Sequence, residues 1–123
     1  MLKILKVAIV TSFFYSLAQP INAYAGAIFE RLPIQINADE KYVFYSHGLI
    51  VEGTNPTPTN PRWGIYDFPK VKAALASERY NLIAYHREKK TKPREFARKL
   101  AADVDLLIKR GVKPENISLV GFS

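Results

Sequence analysis

Residues 42–48 read YVFYSHG and are the most informative segment for the fold class. Its first four residues are aromatic or β-branched, so both faces of a strand formed here would be apolar. Strands that are apolar on both faces are typical of parallel sheets, because helices cover such sheets on both sides. Ser46, His47 and Gly48 then end the apolar run. The stretch therefore predicts a buried parallel strand with polar groups at its carboxyl end.

Two further strands and two helices follow in alternation. Residues 80–85 and 117–120 are apolar runs of strand length. Asp67 is a suitable N-cap for a helix that extends to about Ser77, and a longer amphipathic helix runs from Pro93 to a stop at Gly111. Each crossover takes about 30 residues, the size of a βαβ unit. The β-α-β-α-β order predicts a three-layer α/β fold with a parallel sheet and right-handed crossovers.

Two segments beside the first strand are less regular. Apolar residues alternate at Leu32, Ile34 and Ile36, which predicts a short edge strand, although Pro33 disfavours it. Residues 52–66 contain three prolines and are predicted to form a long loop. Loops of this length inside a compact domain are often functional.

The N-terminal 25 residues have the pattern of a secretory signal peptide. Lys3 and Lys6 precede a twelve-residue, mostly apolar run from Val7 to Ala18, and residues 23–25 read AYA, a small-x-small cleavage pattern. The run is shorter than the roughly 20 apolar residues of a membrane span. We therefore expect cleavage after residue 25, export to the periplasm or the medium, and a mature domain of residues 26–123 without a stable membrane span.

Composition excludes several classes of function. The chain has no cysteine, so disulfides, thiol nucleophiles and cysteine metal sites are excluded. The basic run of residues 87–94 contains Glu88 and no interleaved aromatic residue, which indicates a solvated loop and not a nucleic-acid site. Asp103 and Asp105 are two apart on a helix and are expected to face solvent separately. No cluster has metal-ligand spacing, so neither a metal nor another cofactor is predicted.

Aromatic residues flank the long loop at Trp63, Tyr66 and Phe68. Such side chains either pack over the sheet or line a substrate pocket, and packing is the favoured interpretation.

The third strand leads directly into Gly121, Phe122 and Ser123. A nucleophile elbow reads Gly-x-Ser-x-Gly between a strand and a helix, and its sharp turn lifts the serine oxygen above the sheet. Residues 121–123 supply the Gly-x-Ser half of that pattern. Ser123 is therefore the candidate nucleophile.

Together with His47-Gly48 at the end of the first core strand, this pattern resembles the α/β-hydrolase family. The resemblance covers about residues 42–123, the N-terminal half of such a domain up to the elbow. It implies that His47 and Gly48 form the oxyanion-loop motif and that the backbone N–H of Leu49 is an oxyanion donor. It also implies a serine hydrolase that acts on a small-molecule ester or other acyl substrate.

The sequence departs from the family at one important point. In α/β-hydrolases the catalytic acid and histidine follow the serine in the chain, and here nothing follows Ser123. His47 and His86 both precede it and are disfavoured as substitutes. The 123-residue chain is therefore expected to be inactive alone, and the alternative is a non-catalytic remnant or a small binding module. The third strand is also expected to lie at an exposed sheet edge, which favours self-association.

Overall fold

The computed structural model describes residues 26–122. The predicted signal peptide and Ser123 lie outside the described residues. The elements are the strands β1 (Ile28–Phe29), β2 (Tyr42–Ser46), β3 (Thr59–Asn60), β4 (Gly64–Ile65), β5 (Asn81–Ile83) and β6 (Ile117–Gly121), and the helices α1 (Phe68–Leu75) and α2 (Pro93–Lys109). Two 3₁₀ turns occupy Leu49–Val51 and Pro114–Asn116.

Four strands form one parallel sheet in the order β1-β5-β2-β6. Because residues alternate between the two faces of a strand, Tyr42 and Phe44 face α2, whereas Tyr45 faces α1. Leu107 of α2 and Phe68 of α1 are buried in the two resulting apolar clusters. The predicted parallel α/β architecture with helices on both faces is therefore confirmed for the described residues.

The ends of the helices follow local rules that the sequence displays. The carboxylate of Asp67 accepts the N–H of Lys70 at 2.9 Å, so the predicted N-cap of α1 is confirmed. Gly111 has a φ of 94° and follows α2, where glycine carries no steric penalty. Helix α1 ends at Leu75, two residues before the predicted end, and the Tyr80 hydroxyl donates to the carbonyl oxygen of Leu75.

The predicted edge strand at residues 32–36 is wrong. Leu32 and Ile36 instead pack against the cluster on the α2 face, and Ile34 is 89% exposed between them. The strand at this edge of the sheet is β1, which pairs with β5 through Ile28 and Leu82. A strand of two residues, such as β1, is too short to show an alternating pattern in the sequence.

The predicted long loop contains a small antiparallel hairpin, in which β3 pairs with β4. The Asn60 side chain accepts the N–H groups of Arg62 and Trp63 and so holds the tip of the hairpin. The N–H of Tyr66 donates to Pro58 at 2.8 Å and the N–H of Phe68 to Pro56 at 3.0 Å. The hairpin is thus tied to the start of α1.

Strand β6 lies at the edge of the sheet, next to β2 alone. The prediction that the third strand lies at an exposed sheet edge is confirmed for the described residues, because Leu119 is 62% and Val120 45% exposed. No helix within residues 26–122 covers these side chains. The edge is free of charged residues and proline between Ile117 and Phe122.

Candidate functional site

The carboxyl ends of β2, β5 and β6 lie side by side, at the edge where parallel sheets bind ligands. Ser46 pairs with Gly121, and the N–H of Phe122 donates to the Ser46 carbonyl oxygen at 3.0 Å. A Cβ added at Gly48 would lie 3.3 Å from the Phe122 ring, so the two residues pack closely. Ser123 is bonded to Phe122, and consecutive Cα atoms are about 3.8 Å apart. The predicted oxyanion-loop motif thus lies beside the residue that precedes the candidate nucleophile.

A 3₁₀ turn follows Gly48 and exposes a backbone donor. The carbonyl oxygen of Gly48 accepts from Val51 at 3.2 Å, and that of Leu49 accepts from Glu52 at 3.1 Å. Leu49 is the first residue of the turn, so its own N–H has no partner inside the turn. Within residues 26–122 this N–H donates to no acceptor, and the Leu49 side chain is 79% exposed. An oxyanion donor needs a backbone N–H in this state.

His47 is buried, at 1% exposure, and both of its ring nitrogens are engaged. Nε2 accepts the backbone N–H of Arg87 at 2.9 Å, so it carries no proton. Nδ1 therefore holds the proton and donates it to the carbonyl oxygen of Gly48 at 2.8 Å. Burial lowers the pKa of His47, which keeps the ring neutral. With its only lone pair occupied, His47 links the start of the 3₁₀ turn to Arg87 and is not available as a base.

Arg87 joins the end of β5 to the same turn. Its guanidinium donates to the carbonyl oxygen of His47 at 2.6 Å and pairs with Glu52 at 3.3 Å. Both side chains of the ion pair are nearly buried, at 13% and 8% exposure. The carbonyl oxygen of Arg87 also accepts the N–H of Gly53 at 3.0 Å. We call His47, Glu52 and Arg87 the loop staple, because their contacts hold the two loops together.

The prediction that residues 87–94 are a solvated basic loop is thus wrong for Arg87. Sequence analysis missed both Arg87 and Glu52 as residues of the site. The position of Arg87 in the chain was the available indication, because Arg87 lies two residues after the buried Tyr85, at the end of a predicted core strand. The prediction of a solvated segment fits Lys89 and Lys90, which are exposed.

His86 packs against the rings of His47 and Phe68 and makes one hydrogen bond to the backbone. Its Nε2 donates to the carbonyl oxygen of Val51 at 2.7 Å. The ring centroids of His86 and His47 are 5.5 Å apart, and each ring also contacts Phe68, at 5.6 Å and 5.0 Å. The described contacts thus occupy the lone pair of His47, whereas those of His86 engage only its Nε2.

Two clefts adjoin Phe122. One, of about 510 Å³, is lined by the loop staple and by the apolar side of α2, including Phe96 and Leu100. The other, of about 380 Å³, lies between the 3₁₀ turn and the hairpin and includes Trp63 and Tyr66. We call the second one the hairpin cleft.

The aromatic residues around the long loop pack in the core, line the hairpin cleft, or do both. Phe68 is 1% exposed and belongs to the core, and the Tyr66 hydroxyl lies 2.7 Å from that of Tyr45. The packing interpretation is confirmed for Phe68, whereas Tyr66 both packs against the cluster on the α1 face and lines the hairpin cleft. Trp63 is 75% exposed and lines the hairpin cleft.

The prediction that Asp103 faces solvent is wrong. Its carboxylate accepts the hydroxyl of Tyr85 at 2.5 Å and pairs with Lys99 at 3.1 Å. Burial, followed by this hydrogen bond, raises the pKa of Tyr85. Asp105 is exposed as predicted. The contacts of Asp103 attach α2 to the end of β5.

Two absences hold for the described part of the chain. Residues 26–122 contain no group of three or more histidine or carboxylate side chains that is close enough to hold a metal ion. They also contain no helix with the length and hydropathy that crossing a membrane requires. In comparisons with known proteins, no family model, no curated protein and no solved structure matches this chain.

Proposed function

We propose that this chain carries the nucleophile side of an α/β-hydrolase site that acts on ester or other acyl substrates. In this proposal Ser123 is the nucleophile and the N–H of Leu49 is one oxyanion donor. Residues 1–25 are proposed to be a cleaved signal peptide, and the mature domain to be exported. The supporting observation is the packing of Gly48 against Phe122, with the Phe122 N–H bonded to Ser46.

The chemistry assigns a step to each group. The hydroxyl oxygen of Ser123 attacks the acyl carbon while a base takes its proton, and the carbonyl oxygen becomes an oxyanion that the Leu49 N–H stabilises. Collapse of the intermediate releases the alcohol, which takes up the proton, and water then hydrolyses the acyl-enzyme. Losing one oxyanion donor costs about 3 kcal/mol of transition-state stabilisation. The loop staple keeps the donor turn in place.

The base and the acid are assigned to residues outside 26–122. His47 uses its lone pair for the N–H of Arg87. His86 precedes Ser123 in the chain, whereas in the α/β-hydrolase family the catalytic histidine follows the serine. A serine hydroxyl is a poor nucleophile without a base. We therefore expect the 123-residue chain alone to hydrolyse an activated ester no faster than its Ser123→Ala variant.

The test is active-site labelling of the protein as its native source produces it. A fluorophosphonate probe should modify Ser123, identified by mass spectrometry of the labelled peptide, and Ser123→Ala should abolish the modification. Ser118→Ala is the matched control, because Ser118 is an exposed serine of the same strand. If Ser123 remains unlabelled while other serine hydrolases in the sample react, the proposal fails and a non-catalytic binding module is favoured. The intact mass of the same sample tests cleavage after residue 25.

A further inference from the structure

The hairpin cleft is apolar and includes Phe122, the residue before the proposed nucleophile. Its lining side chains are Ile50, Asn60, Trp63, Ile65, Tyr66 and Phe122. None of these side chains carries a charge, and five of the six are aromatic or aliphatic. Single exposed apolar residues are ordinary, but a contiguous apolar cleft is a feature of ligand-binding sites.

The walls of the cleft are held by contacts among its own lining residues and by one contact with Tyr45. Tyr66 is fixed by the hydrogen bond between its hydroxyl and that of Tyr45. The backbone of Trp63 is fixed by the Asn60 side chain at 3.1 Å, and the Phe122 and Tyr66 rings lie 5.9 Å apart. The cleft is therefore present before a ligand enters, which lowers the cost of binding.

Of the residues that line the two clefts, the charged ones lie in the other cleft, while the Arg62 guanidinium lies over the Trp63 ring, 4.6 Å from its centroid. Arg87 and Glu52 line the cleft beside α2, and they neutralise each other at 3.3 Å. Phe122 lies between the two clefts, since it lines both. A substrate that reaches Ser123 would therefore have an apolar surface on the hairpin side.

We propose that the hairpin cleft binds an uncharged, apolar alkyl or aryl group, and that the substrate is an ester or other acyl compound that carries such a group. The second clause rests on the proposed function, whereas the first does not. Ile50, Trp63 and Ile65 are 37%, 75% and 69% exposed, and a ligand that covers them gains about 25 cal/mol for each Å² of apolar surface removed from water.

The chain offers a direct reporter of binding, because Trp63 is its only tryptophan. Titration of the full chain with 1-octanol should shift the Trp63 emission to shorter wavelength along a saturable curve, as the indole leaves water. Ethanol at the same concentration, which lacks the alkyl chain, should produce no such shift.

Two variants should weaken octanol binding about tenfold or more, because each places a carboxylate in the cleft that the ligand would desolvate. They are Ile65→Asp and Ile50→Asp, and far-UV circular dichroism verifies that each retains the fold. Ile34→Asp is the matched control, since Ile34 is 89% exposed and lies outside the cleft. A linear, non-saturable response of Trp63, or equal binding by Ile34→Asp and both cleft variants, overturns the proposal.

The two proposals fail separately. Saturable octanol binding without labelling of Ser123 would retain the apolar site and refute the hydrolase. Labelling of Ser123 without octanol binding would retain the hydrolase and refute the apolar site. If both hold, the protein from its native source should cleave p-nitrophenyl octanoate with a lower KM than p-nitrophenyl acetate, and Ile65→Asp should remove that difference.

Discussion

Replacing Arg87 with methionine tests the loop staple directly. The substitution keeps an unbranched side chain beside Phe96 but removes the donor to His47 and the partner of Glu52. The Glu52 side chain is only 8% exposed, so its carboxylate would remain desolvated without a counter-charge. Breaking a buried ion pair by removing one partner costs about 3–5 kcal/mol. That is a large share of the roughly 5–15 kcal/mol that stabilises a small domain.

A surface ion pair of the same chain provides the control. Lys92 and Glu95 lie 3.2 Å apart, close to the 3.3 Å of the staple pair, but their side chains are 76% and 63% exposed. Lys92→Met should therefore cost about 1 kcal/mol or less. Burial, and not distance, accounts for the expected difference.

The assay is equilibrium unfolding in urea, followed by far-UV circular dichroism, with the free energy extrapolated to water. Glu52→Gln added to Arg87→Met should recover part of the loss, because the amide carries no charge to leave unpaired. If Arg87→Met costs no more than Lys92→Met, the staple does not stabilise the loops and the reasoning is refuted.

Three further outcomes are expected from the same structure. The difference in unfolding free energy between the wild type and His47→Gln should become smaller as the pH drops below about 6.5, the ordinary pKa of histidine. Burial lowers the pKa of His47 in the folded chain, so the unfolded chain binds the proton first. Urea unfolding between pH 5 and 8 measures it, and a pH-independent difference would contradict it. Gly111→Ala should cost about 1–2 kcal/mol at its φ of 94°, whereas Gly121→Ala, with open space and no positive φ, should be nearly neutral in urea unfolding. Self-association through the β6 edge should be reduced by Leu119→Lys and not by Ile34→Lys in sedimentation experiments, and a monomeric wild type would rule it out.

The sequence predicted the elements whose determinants are local. Strand β2 follows from an unbroken apolar run, and both helix boundaries at Asp67 and Gly111 follow from the chemistry of single residues. The parallel arrangement follows from the lengths of the connections, because strands joined by helices cannot form hairpins. These inferences need no knowledge of which residues meet across the fold.

The errors concern contacts between distant segments. Arg87 and Glu52 are 35 residues apart, and each has the composition of a loop residue. Asp103 reaches Tyr85, 18 residues away, only because α2 packs on that face of the sheet. Strands β1, β3 and β4 have two residues each, too few for a period to be visible. In each case the tertiary partner, and not the local pattern, determined the outcome.

The local motif at His47 predicts the location of the site but not the chemical role of the imidazole. The pair His47-Gly48 indicated where on the sheet the site lies, and the packing of Gly48 against Phe122 supports that placement. The chemical role of the imidazole depends on a donor from another loop, the N–H of Arg87, which a local motif does not contain. Since that donor occupies the only lone pair, proton transfer from Ser123 cannot end on His47 while the staple is intact. A hydrolase built on this site would therefore need a base other than His47, and in the proposed function the staple that occupies the His47 lone pair also holds the turn that begins at Leu49.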